Sequence, residues 1–215
     1  VALGLCSVLR KRGLRVLPFK KGPDYIDAAW HTLAAGVPCR NLDTFMMGRE
    51  RVLRSFLRNA DEDAIALIEG SRGLFDGMDS QGTHSTAELA KLLGCPALLV
   101  VDCTKATRTI AALVMGCAQF DAGLDVAGVI LNQVASARQE KVIRAAIAAY
   151  TDVPVLGAVP RVKGLPFSER PLGLVPPPEH PCAEDALRVA AQAVGGNVDI
   201  DAILDLARRA APLRP

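Results

Sequence analysis

Within eight residues, Lys20-Lys21-Gly22-Pro23-Asp24-Tyr25-Ile26-Asp27, the chain sets out two ammonium groups, two carboxylates and a phenol. Lysine binds phosphate as a point charge, and clustered carboxylates can hold a cation or accept a proton. Glu69 closes the apolar run Ala64-Ile65-Ala66-Leu67-Ile68. A carboxylate there suits Mg²⁺, a hard cation that takes carboxylates, phosphate oxygens and water; the plainer reading is a capping or salt-bridged Glu. A glycine-rich loop follows, Ser71-Arg72-Gly73-Leu74-Phe75-Asp76-Gly77-Met78. Asn132 ends another apolar run, where its amide either reads a purine edge or makes a turn. His31 and His84, each taken alone, read as ordinary histidines.

These residues need elements to position them. Apolar runs suited to buried strands lie at 14–19, 64–68, 97–101, 126–131 and 153–158. Helical patterns lie at 1–12, 47–58, 86–93, 107–120 and 137–149, and two more near 182–194 and 199–210. Alternation of this kind predicts an α/β fold, a mostly parallel sheet with helices on both faces. In such sheets ligands bind beyond the carboxyl ends of the strands. The strands there present Lys20-Lys21, Glu69, Asp102, Asn132-Gln133 and Pro160-Arg161. One charged strand end is only a solvated end; several on one edge predict a polar ligand site, with Lys20, Asp43, Glu69 and Asn132 in one cleft. Loop 70–85, with four glycines, is expected to be loosely ordered. The expected organisation is one domain over 1–195, then a helix and linker over 196–215.

Composition narrows the function classes. The chain has 215 residues, 50% apolar and 22% charged, with a net charge of +2. Such a chain is globular. The near-neutral balance argues against a nucleic-acid-coating surface, and 4% aromatics leaves little for base-stacking platforms. No apolar stretch reaches the roughly 18 residues of a membrane span. A basic n-region and cleavage site are both missing, so no signal peptide is expected. The six cysteines (6, 39, 95, 103, 117, 182) contain no CxxC pair. Most of them read as small buried hydrophobes in a reducing cytoplasm.

The motif Phe19 to Asp27 resembles the FKxGPDYID segment of the cobyrinic acid a,c-diamide synthases. The likeness continues through His31, Arg40-Asn41-Leu42-Asp43, Met46-Met47-Gly48, and Glu69-Gly70 with Gly73-Leu74-Phe75-Asp76-Gly77. It extends through Gly128 to Asn132, Pro154 to Gly157, and Pro166 to Val175. The resemblance implies a P-loop NTPase-like, dethiobiotin-synthetase-like domain that uses ATP and Mg²⁺. It also implies ligation: amidation of the a and c acetates of cobyrinic or hydrogenobyrinic acid in cobalamin biosynthesis. By the same resemblance, ammonia is expected from a glutamine amidotransferase domain of the same polypeptide. The family's G-x-x-x-x-G-K-[ST] loop is absent from the sequence. The expectation is therefore that about 10–20 further residues, carrying that loop, precede Val1, and that the fragment alone is inactive.

By the resemblance, Lys20, Asp24, Tyr25, Asp27 and Asp76 are catalytic, and Asp43 and Glu69 hold the metal. Asn132, Pro160 and Arg161 face the nucleotide. His31, Arg40 and Arg72 hold the carboxylate-rich corrinoid. The expected setting is cytoplasmic, without nucleic acid or membrane partners, and compatible with a homodimer. A Ni-sirohydrochlorin a,c-diamide synthase shares these motifs. Cobyric acid synthase fits the 22–27 run less well. A partition-type P-loop ATPase switch, or an inactive binding module, is the reading from another class.

Overall fold

The structure is a computed structural model describing residues 1–162, 164, 169–170 and 173–210. Its elements are α1 (Ala2–Lys11), β1 (Val16–Lys21), α2 (Tyr25–Ala35), β2 (Arg40–Leu42), α3 (Thr44–Met47), α4 (Arg49–Asn59), β3 (Ile65–Glu69), α5 (Thr86–Leu93), β4 (Ala97–Asp102), α6 (Thr109–Phe120), β5 (Val126–Val134), α7 (Ala137–Tyr150) and β6 (Val155–Pro160). The two-residue strands β7 (Glu169–Arg170) and β8 (Gly173–Leu174) follow, then a 3-10 turn at Pro177–Glu179, α8 (Ala183–Gly195) and α9 (Ile200–Arg208). The predicted strands and helices are present, with ends shifted by a few residues. Of the motif segment 166–175, residues 166–168 and 171–172 lie outside the described residues, as does the expected linker tail 211–215.

The chain forms two compact units. One is chiefly Ala2–Leu93 with Gly164–Gln192; the other is chiefly Gly94–Lys163 with Ala193–Pro212. Each has its own three-stranded parallel sheet, in the orders β2-β1-β3 and β4-β5-β6. The strands are parallel, as alternation predicts, but they are divided between two sheets.

In the first unit β1 is the central strand. Pro18 sits in its middle, where a missing N–H ordinarily breaks a ladder. The register explains the tolerance. Ile65 N–H donates to Arg15 O and Gly22 N–H to Leu42 O, so odd-numbered peptides face β3 and even-numbered ones face β2. Strand β2 pairs with β1 only from Phe19 onward, so no partner waits at Pro18. Helices cover both faces: Phe19 packs on Phe56 of α4, ring centroids 5.0 Å apart, while His31 of α2 meets the face bearing Lys20 and Glu69.

Helix α2 starts at a strong cap. Asp24 accepts from the Ile26 and Asp27 amides, and Gly36 closes the helix in the left-handed region at φ 74°. Trp30 is buried and donates through Nε1 to Val175 O at 3.0 Å. This tether fixes α2 on the segment after β8.

In the second unit β5 is central and buried along most of its length. Gln139 ties two loops together there. Its amide nitrogen donates to Cys103 O (2.6 Å) and Ala106 O (2.7 Å), and its oxygen accepts from Ala135 N–H (2.7 Å).

Candidate functional site

The carboxyl end of β1 places Lys20 directly beside Glu69, its Cα partner on β3. Lys20 is only 5% exposed, so its charge needs compensation. Nζ lies 2.8 Å from Asp27 Oδ2, 3.0 Å from Glu69 Oε2 and 3.1 Å from Gly70 O. These three acceptors match its three hydrogens. Burial alone pulls the Lys20 pKa down, but Glu69 and Asp27 outweigh it and the net shift is upward.

Glu69 has a second partner. His31 Nε2 lies 2.9 Å from Oε2, the oxygen that also takes Lys20. Burial pushes the Glu69 carboxyl up; the His31 bond and the Lys20 charge more than reverse this, holding it at about 2. Its other oxygen, Oε1, takes no hydrogen bond from any described residue.

The turn carrying Asp24 and Tyr25 is pinned from both sides. Asn41 Nδ2 donates to Gly22 O (2.8 Å) and Asp24 O (2.9 Å), and Ser71 Oγ donates to Lys21 O (2.8 Å). Gly22 has φ 86°, a left-handed value suited to glycine. Tyr25 opens α2 and stands 74% exposed. Asp43, just past β2, caps α3: Oδ1 accepts from the Phe45 and Met46 amides at 2.8 and 3.1 Å.

Loop 70–85 is more ordered than its glycines suggest. Asp76 accepts from Gly73 N–H (2.9 Å), Met78 N–H donates to Thr83 O (2.9 Å), and Ala87 N–H to Leu74 O (2.9 Å). Asp79 accepts from Gln81 and Thr83. Arg72 and His84 hold left-handed φ values of 57° and 64° without being glycine, a cost found mostly at functional positions. His84 Nδ1 lies 2.8 Å from Thr44 Oγ1.

The structure thus brings Lys20, Asp27, His31 and Glu69 into one contact cluster, with Tyr25 at the start of α2 and Asp24, Asp43, Arg72 and Asp76 on the loops around the same strand ends. His31, which the resemblance assigns to the corrinoid, is fully buried and bonds Glu69. Lys20, which the resemblance makes catalytic, has its three hydrogens engaged by Asp27, Glu69 and Gly70 O. Arg40 and Arg72 are exposed and form no ion pair with described residues. Arg40 lies level with Phe19, one residue below Lys20.

Asn132, Pro160 and Arg161 come together in the second unit. Asn132 pairs with Asp102, Val134 pairs with Pro160, and Arg161 N–H donates to Val134 O at 2.9 Å. Gln133 has φ 61° beside a register shift. The Asn132 amide makes no hydrogen bond with described residues. Thr104 donates twice to Asp102, at 2.8 Å from N–H and 2.6 Å from Oγ1. Those bonds lower the Asp102 pKa, and Arg161 adds to the effect.

Sequence reasoning missed α2, β2 and the pinning roles of Asn41, Ser71 and Gln139. It also missed Cys6, whose Sγ lies 3.6 Å from His31 Nδ1. Nothing in local sequence links positions so far apart.

As to metal, the donor types at hand fit Mg²⁺. Glu69 Oε1 and Asp43 Oδ2 are carboxylate oxygens without hydrogen bonds from described residues. Magnesium needs only one or two such ligands besides water and phosphate. No cluster of three or more His, Cys, Asp or Glu suited to a metal occurs among the described residues.

Parallel strands flanked by helices, with polar groups gathered at the strand ends, define a P-loop NTPase-like fold. The chain belongs to the AAA_26 family, described as an AAA domain, whose model matches residues 39–167. It is 49% identical over 213 residues to cobyrinate a,c-diamide synthase of Magnetococcus marinus, 99% of this chain and 46% of that protein. It is 43% identical to cobyrinate a,c-diamide synthase of Salmonella typhimurium, over 96% of this chain and 45% of the relative. It is 45% identical to hydrogenobyrinate a,c-diamide synthase of Brucella anthropi, over 94% and 46%. The chain therefore spans about half the length of the curated relatives it matches. Chloroplast FtsY from Physcomitrella patens shares the fold, with TM-score 0.54 at 15% identity over 88% of this chain and 60% of that one.

Proposed function

We propose that this chain is the ATP-dependent synthetase portion of an a,c-diamide synthase acting on cobyrinic or hydrogenobyrinic acid in cobalamin biosynthesis. The supporting observation is the Lys20–Asp27–Glu69–His31 cluster at the ends of β1 and β3, within a sequence 49% identical to a cobyrinate a,c-diamide synthase.

The chemistry is carboxylate activation. A carboxylate oxygen of the corrinoid takes the γ-phosphoryl group of ATP, and ADP leaves. Ammonia adds to the acyl carbon, inorganic phosphate departs with that oxygen, and a nitrogen proton passes to a base. Such transfers depend mainly on positioning and charge neutralisation. Mg²⁺, when bound, neutralises phosphate charge, and Glu69 and Asp43 are the residues that would hold it. Lys20 and His31 keep Glu69 ionised and oriented. Asp27 is locked by Lys20. Exposed Tyr25, with Asp24 and Asp76 fixed in their turns, borders the acceptor carboxylate, where a carboxylate collects the ammonium proton. Arg40 and Arg72 attract the acidic corrinoid rim. Asn132, Pro160 and Arg161 receive the adenine.

The ammonia is released from glutamine by a further domain of the same gene product. The test is ATP-dependent amide formation by the complete gene product, on cobyrinic and on hydrogenobyrinic acid, with glutamine or free ammonium as nitrogen donor. Amide product that requires ATP supports the reading. ATP hydrolysis that is indifferent to either corrinoid overturns it.

A further inference from the structure

Cys6 and His31 are both fully buried, on α1 and α2. Cys6 Sγ lies 3.6 Å from His31 Nδ1, and Nε2 of the same ring lies 2.9 Å from Glu69 Oε2. Thiol, imidazole and carboxylate thus form one line, running from the interior to the strand end.

Direction along that line follows from what each group can donate. Burial, with Cys39 and Glu69 nearby, pushes the Cys6 thiol up to about 12, so it carries its hydrogen. A protonated thiol is a weak donor, and an imidazole nitrogen is its natural acceptor. The opposite tautomer would aim the Nε2 lone pair at a carboxylate oxygen and strand the thiol hydrogen.

We propose that Cys6 is a positioning residue of this site: its S–H donates to His31 Nδ1, selects the Nε2–H tautomer, and so holds an N–H donor on Glu69 Oε2. Lys20 occupies the same oxygen from the other side. Two donors on Oε2 fix the carboxylate and leave Oε1 without a hydrogen bond from any described residue. The consequence for catalysis rests on the functional reading above: a fixed Glu69 presents Oε1 to the nucleotide's cation in one orientation. Partners that orient a ligand through a histidine typically cost 10–100-fold when removed.

The test uses the complete gene product labelled with ¹⁵N-histidine. Two-bond ¹H–¹⁵N correlations read the protonation of each ring nitrogen of His31. The expected result is a bare Nδ1 and a protonated Nε2, in wild type and in Cys6→Ser, which keeps a donor. In Cys6→Val the Nδ1–H form appears. In the amidation assay kcat then falls about 10-fold in Cys6→Val, with KM for ATP moving less, and Cys6→Ser stays within about twofold of wild type. Cys39→Ala is the control, since that thiol has no hydrogen bond to His31, and it leaves the His31 tautomer unchanged.

A wild-type ring protonated on Nδ1, alone or together with Nε2, overturns the proposal. So does Cys6→Val with tautomer and kcat both unchanged. If Cys6→Val does not fold, the wild-type and Cys6→Ser tautomers decide. If the tautomer is as stated but wild type forms no amide, the functional reading fails and the positioning stands.

Discussion

Lys20 and Glu69 are Cα partners on adjacent parallel strands, and the ammonium nitrogen lies 3.0 Å from the carboxylate oxygen Oε2. Two side chains at one level of a sheet share a face. Their pairing is therefore a property of register as much as of charge. A one-residue slip of β3 would turn Glu69 to the other face. The pair also explains how a lysine survives at 5% exposure, because Asp27 and Gly70 O complete its shell.

Substitution of Lys20 tests that shell. Lys20→Met leaves Glu69 and Asp27 close together without their cation. Breaking a buried pair from one side costs about 3–5 kcal/mol. Chemical denaturation should show a loss of that order, and Lys20→Arg should recover part of it. A loss below about 1 kcal/mol would mean that water replaces the ammonium.

Glu69→Gln should affect both rate and stability. Gln is nearly isosteric with Glu, but Oε2 accepts from both His31 and Lys20. Losing the charge should cost about 1.5–3 kcal/mol, the worth of hydrogen bonds to charged groups. The amidation rate should fall about 100-fold or more, roughly 3 kcal/mol of transition-state stabilisation. Equal rates at saturating Mg²⁺ would make Glu69 purely structural.

The same contacts set a pH dependence. The Glu69 carboxyl drops from an ordinary 4.5 to about 2 in the folded state. A depressed carboxyl supplies stability that is full above the ordinary value and lost as pH falls through the folded one. Unfolding free energy should therefore decline from about pH 4.5 toward 2, and Glu69→Gln should flatten that decline. Lys20 is shifted upward, so its contribution holds below 10.5 and is lost only as pH rises past that value. Denaturant titrations at stepped pH read both limbs.

How much was legible follows from where the information lies. The strand and helix pattern is local, so β1, β3, β4, β5 and β6 and most of the helices stand near their expected places. Helix α2 escaped because its body, with Trp30, His31, Ala34 and Ala35 buried, shows little of the polar stripe that marks a surface helix. Strand β2 is three residues long, too short to show alternation. Glu69 and Lys20 were visible as polar residues closing apolar runs. The roles of His31 and Cys6 were not, since a buried polar line joining α1, α2 and β3 exists only in three dimensions. Strained Arg72 and His84 carry no sequence mark, because their φ values depend on the loop around them.

Gly77 makes a sharp test of that loop. A Cβ there would meet Gly82 C and Thr83 O at 2.4 Å each. Those are backbone atoms and cannot swing aside. Gly77→Ala should destabilise by about 1–3 kcal/mol and open the 77–83 turn, read as faster proteolysis within loop 70–85. Unchanged cleavage would show that the turn has slack. Gly116→Ala is the matched control, because a Cβ there meets nothing within 4 Å.

Asn132 separates ligand binding from folding more cleanly than any other candidate residue. It stands at the end of β5, level with Asp102 on β4, and its amide bonds no described residue. Nothing in the fold depends on that amide, so Asn132→Ala should change stability by no more than about 0.5 kcal/mol. A purine, by contrast, needs a group that both donates and accepts, and Asn is suited to that. Loss of such a contact should raise KM for ATP about 10-fold, equivalent to about 1.4 kcal/mol, with kcat changing little. Discrimination between ATP and ITP should shrink in the same variant, because the 6-position that tells them apart loses its reader. Asn132→Asp should keep or widen the preference for ATP, since a carboxylate still accepts from the 6-amino group but cannot donate to a 6-oxo group. A KM for ATP equal to wild type, with undiminished preference over ITP, would move the adenine site away from the ends of β5 and β6. A large drop in melting temperature would instead show that the amide supports the bulge at Gln133, where the register shifts between Leu131 and Val134.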